Sequence, residues 1–299
     1  MTVTTSKKIK YIELILFFVI VIWGLNTPVM KIGLNLLPPM IYNTFRLALA
    51  ATVTLAAMLL TGRYKPMPAK DIKQIAAISI FGIFFNQVFI MFGVERTTAG
   101  NAALVMATLP VLVAMINRLL GIEPISRRMA AGIIVSLAGV VFIVLGSDKE
   151  LSLTGPHLIG AVLVLIGQVC YAYYTVRFRQ LTFEYSPHQI IATVMTVSAV
   201  LFGLITLPDL ISLQWSAVPA AAWYSIVFSA MLALSLSNFV WIWAVGILGS
   251  TKASLYPNLC PVFSIAFAWY YMGETLGFLQ AVGAGVTFLG LFLTRSQSY

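Results

Sequence analysis

The stretch LPVLVAMINRLLGIEPISRRMAAGIIVSLAG, residues 109–139, decides the fold, because its punctuation recurs in CPVFSIAFAWYYMGETLGFLQAVGAGVTFLG, residues 260–290. Pro110, Glu123, Gly132 and Gly139 are matched by Pro261, Glu274, Gly283 and Gly290, each 151 residues later. Ala102, Leu104 and Val111 likewise fall on Ala253, Leu255 and Val262. Both copies lie in chain too apolar to face water. Of 299 residues, 60% are hydrophobic and 9% charged, against roughly 25% charged in a soluble domain. The mean hydropathy is +0.97. Lipid must therefore be the solvent for most of the surface.

A membrane-crossing helix needs about 20 mostly apolar residues. Ten segments meet that requirement: 11–32, 39–61, 74–94, 99–119, 128–146, 155–177, 188–207, 219–246, 251–271 and 277–294. The expected fold class is an all-α integral membrane protein with ten transmembrane helices. Connections are short and marked by Pro38-Pro39, Pro66, Pro68, Gly121, Pro124, Gly155-Pro156, Pro187, Pro208, Pro219 and Gly249. The repeat boundary falls between Asp148 and Thr154, dividing the chain into a first repeat, 11–146, and a second, 155–294. Each holds five spans. Five is odd, so the second repeat enters the membrane inverted.

Basic residues orient the chain, because cytoplasmic loops are enriched in Lys and Arg. With the N-terminus inside, fourteen of the 18 Lys and Arg fall at the inner side, only Lys31, Arg96 and Lys149 fall at the outer side, and Arg46 lies deepest within a span. Both termini are then cytoplasmic. The loop at Arg127 and Arg128 faces in, while its mate at Glu274 and Thr275 faces out with no basic residue. The net charge of +9 does not signal nucleic acid, since the basic residues are scattered through loops rather than gathered into a patch. Cys170 and Cys260 both sit in apolar stretches, which argues against a disulfide or zinc site. His157 and His188 lie in separate loops and do not form a metal pair. No cofactor motif is present, and no Walker phosphate loop for ATP.

Inverted repeats give two arrangements of similar energy, one open to each side, and substrate binds near the midplane. Candidate contact residues are the polar and aromatic groups at that depth. Asn26 and Thr27 precede Pro28, which frees a carbonyl near Gly24. Asn86 and Gln87 in the third span match Ser237 and Asn238 in the eighth. Gln168, Tyr171 and Tyr174 share one face of the sixth. Lys252 stands at the start of the ninth, followed by Tyr256, Pro257 and Asn258. A cavity is expected among Asn26, Gln87, Tyr171, Tyr174, Asn238 and Tyr256. Trp241, Trp243, Trp269 and the phenylalanines at 84, 85, 89 and 92 add aromatic surface. Arg46 is the deepest formal charge and is read mainly as structural. Glu123 and Glu274 are read as helix N-terminal caps. Glu13 and Glu95 are the carboxylates nearest the core, the former in the first turn of the first span. Without carboxylates at depth a proton relay is not visible. Small residues at Gly132 and Ser136, and at Ala281 and Gly285, permit close packing within a monomer or between two copies.

Taken together, Trp23-Gly24-Leu25-Asn26-Thr27-Pro28, Pro39 through Arg46, and the two Pro…Glu…Gly…Gly strings resemble the EamA family of the drug/metabolite transporter superfamily. The resemblance covers nearly the whole chain. It implies a small-metabolite permease of a bacterial inner membrane, often an exporter of amino acids, with a central cavity lined by the first, third, fourth, sixth, eighth and ninth spans. Tyr171-Ala172-Tyr173-Tyr174 stands where the Trp-Gly string of the first span would recur, so roles do not copy between repeats. The expected partners are a small-molecule substrate and membrane lipid. The rival classes are an intramembrane enzyme and a sensor or scaffold. The former needs clustered aspartates or a catalytic dyad, the latter a soluble output domain, and neither feature is present.

Overall fold

The structure is a computed structural model that describes residues 3–62, 64–97, 99–146, 156–263, 266, 270 and 277–295. Glu274, Thr275, Trp269 and the repeat boundary from Asp148 to Thr154 lie outside the described residues, as do the side chains of Thr27, Pro28 and His157. Every regular element described is helical: α1 (Val3–Leu34), α2 (Pro39–Leu60), α3 (Ala69–Ile78), α4 (Phe85–Arg96), α5 (Ala99–Met106), α6 (Leu109–Leu120), α7 (Arg127–Leu145), α8 (Pro156–Leu181), α9 (Pro187–Ser212), α10 (Ala220–Phe228), α11 (Ser237–Leu248), α12 (Ser250–Ala253) and α13 (Phe278–Arg295). Among the described residues, six helical runs are long and apolar enough to cross a membrane, and three shorter apolar helices accompany them, among them Tyr11–Asn26 and Phe278–Leu293.

Several boundaries differ from the sequence reading. Helix α1 begins at Val3, so Glu13 sits well inside it rather than in its first turn, and only 5% of it is exposed. Pro208 does not end α9, which runs on to Ser212. A proline this close to a helix end breaks one hydrogen bond but leaves few later ones to lose. The fourth segment is two helices, broken at Ala107-Thr108 just before Pro110. Its repeat mate is also broken: α12 gives way to a turn and a 3-10 stretch, Tyr256–Leu259, before Pro261. Each proline lacks the N–H that would carry the α-ladder across.

Two further irregularities recur. A π-helical segment, Ser79–Phe84, joins α3 to α4, and another, Ser229–Leu236, joins α10 to α11. Hydroxyls and amides occupy backbone carbonyls here. The Ser79 hydroxyl donates to Ile75 O at 2.7 Å, and Ser235 reaches back five residues to Ala230 O at 2.8 Å. Such competition for carbonyls loosens the i→i−4 ladder and accommodates the extra residue.

The chain forms two compact units, one of Met1–Phe84 with Arg177–Gly246, the other of Phe85–Val176 with Ile247–Tyr299. Each draws chain from both sequence repeats. In the first unit α2 packs along α9, where the buried hydroxyls of Thr44 and Thr206 meet at 3.0 Å. In the second unit α7 packs along α13 through glycines. A Cβ added to Gly139 would lie 2.7 Å from Gly283 O, and one on Gly290 would lie 2.8 Å from Gly132 O. Ascending along α7 means descending along α13, so the pair is antiparallel. The Gly132–Ser136 face is thus spent within the chain, whereas a Cβ on Gly285 would meet nothing.

Candidate functional site

A buried polar arrangement of the first unit follows one stripe of the helix running from α10 into α11. Ser225, Ser229 and Ala233 recur four residues apart, as one helical face requires. Ser225 donates its hydroxyl to Tyr42 Oη at 2.9 Å. Ser229 donates to Asn26 Oδ1 at 2.6 Å, while the Asn26 amide turns to Met30 Sδ at 3.1 Å. Ala233 O accepts from Trp23 Nε1 at 3.0 Å and from Asn238 Nδ2 at 3.2 Å. The π-helical winding makes that carbonyl available to side chains. The Trp23 and Trp241 rings lie 5.5 Å apart beside it. Three elements therefore converge on the stripe from Ser225 to Ala233: α1 with Trp23 and Asn26, α2 with Tyr42, and α11 with Asn238. One turn beyond Tyr42, Arg46 holds its guanidinium 5.6 Å from the Tyr42 ring centre and donates Nη1 to Asn43 Oδ1 at 3.1 Å.

The remaining candidates lie in the second unit. Asn86 donates to Gly167 O at 2.9 Å and accepts from Gln87 at 3.3 Å, so this amide ties α4 to α8. Close approach is possible there because Gly93, Gly160 and Gly167 line the crossing. Gln168 is buried and its Oε1 has no donor. Tyr171 and Tyr174 have ring centroids 5.7 Å apart, and Tyr171 packs against Leu109, Val113, Ala172 and Val176. Asn258 donates to Ser136 Oγ at 2.9 Å. Lys252 and Tyr256 are buried. Thr27 belongs to α1, but its side chain is among those outside the described residues. Of the sequence candidates, then, Asn26 and Asn238 share one stripe in the first unit, while Asn86, Gln87, Gln168, Tyr171, Tyr174, Lys252, Tyr256 and Asn258 belong to the second.

Glu123 departs from its reading as a cap for the helix that follows it. Ser126 performs that task, accepting from Met129 N at 3.1 Å. Glu123 instead caps α12 across 127 residues of chain: its Oε1 accepts from Ser250 N and Ser250 Oγ, both at 2.8 Å. Its Oε2 accepts from Thr251 N at 3.1 Å, Thr251 Oγ1 at 2.8 Å and Asn117 Nδ2 at 3.2 Å. No group of three His, Cys, Asp or Glu side chains converges among the described residues.

Trp23, Tyr42, Ser225 and Ser229 were not among the contact residues expected from sequence, although Trp23 and Tyr42 lie in the motifs that carry the family resemblance. A readable signal existed in small hydroxyl residues four apart in an apolar span. Trp23, three residues before Asn26, lies on the same face of α1.

The model of the EamA-like transporter family matches residues 10–145 and again 158–296. The chain belongs to that family. It is 29% identical over 260 residues to the Bacillus subtilis protein named uncharacterized transporter YyaM, covering 84% of this chain and 82% of that one. It is 27% identical over 299 residues to a Salmonella typhimurium protein named probable amino-acid metabolite efflux pump, covering 96% and 95%. Similarity to the Escherichia coli uncharacterized inner membrane transporter YedA is 25%, over 95% of this chain and 90% of that one. A solved crystal structure shares the fold with a TM-score of 0.81 at 17% identity, over 96% of this chain and 99% of that one. This EamA-like chain is a multi-pass membrane transporter.

Proposed function

We propose that the chain exports a small amphipathic metabolite, an amino acid with an apolar or aromatic side chain, by alternating access between two inverted five-helix repeats, with both termini cytoplasmic. The polar stripe around the π-helical segment Ser229–Leu236 carries the proposal. Its groups are neutral apart from Arg46, and they stand beside Trp23 and Trp241. That mixture suits a zwitterion with a hydrophobic body. A multiply charged phosphate would require several cations, as arginine and lysine clusters provide. Irregular backbone within a membrane is tolerated where it is buried in protein or lines a cavity.

Inversion of the repeats has independent support. The π-helical segments at 79–84 and 229–236 and the proline breaks near Pro110 and Pro261 recur at the sequence repeat spacing. Helices α7 and α13 are repeat mates, and their glycines pack antiparallel. Two mates related by inversion must run in opposite directions. Export rather than import rests on the name of the Salmonella relative. Gln168, Tyr171, Tyr174, Lys252, Tyr256 and Asn258 are proposed as further substrate contacts.

Counterflow and net flux in proteoliposomes, across a panel of amino acids, test the reading. Accumulation of at least one apolar or aromatic amino acid is expected, with loss on Asn26→Leu. An inert protein across the panel, with folding intact, would overturn it.

A further inference from the structure

Arg46 is a deeply buried charge of the first unit. It is only 4% exposed, and Asn43 beside it is fully buried. The guanidinium spends one donor, Nη1, on Asn43 Oδ1. Arg46 Nε and Asn43 Nδ2 are both buried and neither has an acceptor. Among the described residues the one ion pair is Arg96 with Glu95, so no carboxylate answers Arg46. An uncompensated buried cation is expensive, and charges within a membrane are kept where they meet an anion, water or a pathway.

Snorkelling does not relieve this charge. Arg46 lies seven residues into α2, about 10 Å along the axis at the α-helical rise. Its head group is turned back over Tyr42 within the protein. The Tyr42 hydroxyl in turn meets Ser225, on the same stripe as Ser229 and Ala233. Tyr42 thus links the guanidinium to the polar stripe. Arginine's planar fork matches a carboxylate better than any other side chain does.

We infer that Arg46 and Asn43 form the seat for the cargo's carboxylate, an inference that rests on the amino-acid reading above. Asn43 holds the guanidinium by its oxygen and offers its own amide nitrogen as an additional donor. This makes the pair a specificity determinant. Cargo with a free carboxylate is accepted, and the same molecule with that group neutralised is refused.

Binding to the purified full-length protein in detergent, followed by tryptophan fluorescence, reads the seat directly. The probes are L-phenylalanine, phenylacetate and L-phenylalaninamide. Wild type is expected to bind the two carboxylates and to bind the amide at least about tenfold more weakly, one charge-assisted hydrogen bond's worth. Arg46→Gln should weaken L-phenylalanine about a hundredfold, for two such bonds, and leave the amide unchanged. Arg46→Lys and Asn43→Ala should each cost about tenfold, and they carry the test if Arg46→Gln does not fold. Equal binding of acid and amide, no binding of either carboxylate, or Arg46 variants with wild-type affinity would each overturn the seat. Native mass spectrometry with phosphatidylglycerol tests a lipid source for the anion. A phospholipid held by wild type, lost in Arg46→Gln and not displaced by L-phenylalanine would also overturn it. Counterflow separates the two claims. Carboxylate binding that depends on Arg46 without any transport sinks the transport reading and keeps the seat, whereas transport indifferent to Arg46 does the reverse.

Discussion

Glu123→Ala removes the carboxylate that closes the start of α12. Five hydrogen bonds end on that carboxylate, two of them from the backbone nitrogens of Ser250 and Thr251 at 2.8 and 3.1 Å. The hydroxyls of Ser250 and Thr251 can rotate toward other acceptors, but the two N–H groups are fixed by the helix. Both residues are fully buried, so water does not substitute. Hydrogen bonds to a charged acceptor contribute about 1.5–3 kcal/mol each, and two stranded donors imply a loss of about 3–6 kcal/mol. Glu123 is itself half-buried, which places the expectation near the lower end. Thermal or denaturant unfolding in mild detergent measures the loss, with Ser126→Ala as the local control at about 1 kcal/mol. A double-mutant cycle with Thr251→Val should show coupling above about 1 kcal/mol, since the two side chains share a network. If Glu123→Ala matches Ser126→Ala in size, or adds to Thr251→Val without coupling, the long-range cap is the wrong account.

Reporter fusions at Lys70, Arg127, Arg179 and Lys252 should all read cytoplasmic, and external signals at two of them would break the inverted-repeat topology. Gly139→Ala should destabilise by at least about 2 kcal/mol, because its Cβ would meet the Thr287 backbone nitrogen at 2.5 Å. Gly203→Ala, where a Cβ meets nothing, should be neutral or stabilising by up to about 1 kcal/mol, and equal melting points for the two variants would refute the close crossing. Hydrogen bonding to Asp71 pushes the Tyr185 phenol up from 10.0 to about 12. Folding then favours the neutral phenol, so this stabilisation is complete below pH 10 and fades as pH rises through 12. Tyr185→Phe should flatten alkaline unfolding in that window, and an unchanged profile would remove the pair from the balance. Transport is expected to run down a substrate gradient without an imposed pH gradient and to survive Glu13→Gln and Glu95→Gln, whereas loss in either variant with strict proton dependence would establish coupling.

Residues 109–139 and 260–290 made the membrane class and the repeat readable, because glycine and proline act locally and leave fixed marks on the chain. The interruption ahead of Pro110 and Pro261 follows from the same chemistry. The π-helical segments were not readable: 79–84 and 229–236 are ordinary apolar sequence, and only the structure shows Ser79 and Ser235 turned back onto carbonyls of their own helix. Polar residues at depth were readable as a set, but not by partner. Asn86 and Asn238 look alike in sequence, yet Asn86 ties α4 to α8 whereas Asn238 binds its own helix at Ala233. Glu123 shows the limit most clearly, since nothing in its neighbourhood says that its ligands lie at 250 and 251.

Each π-helical segment also acts as a phase shifter. An α-helix advances about 100° per residue, so one surplus residue turns everything after it by that amount. Upstream of 229 and downstream of 236, the same continuous rod therefore keeps two independently aimed faces. Rewinding Ser229–Leu236 as plain α-helix at unchanged length would swing Asn238 and Trp241 away from Trp23, whereas deleting a single residue there would remove the surplus and leave both facing it. A one-residue deletion should accordingly be better tolerated inside Ser229–Leu236 than in the α-helical stretches on either side of it.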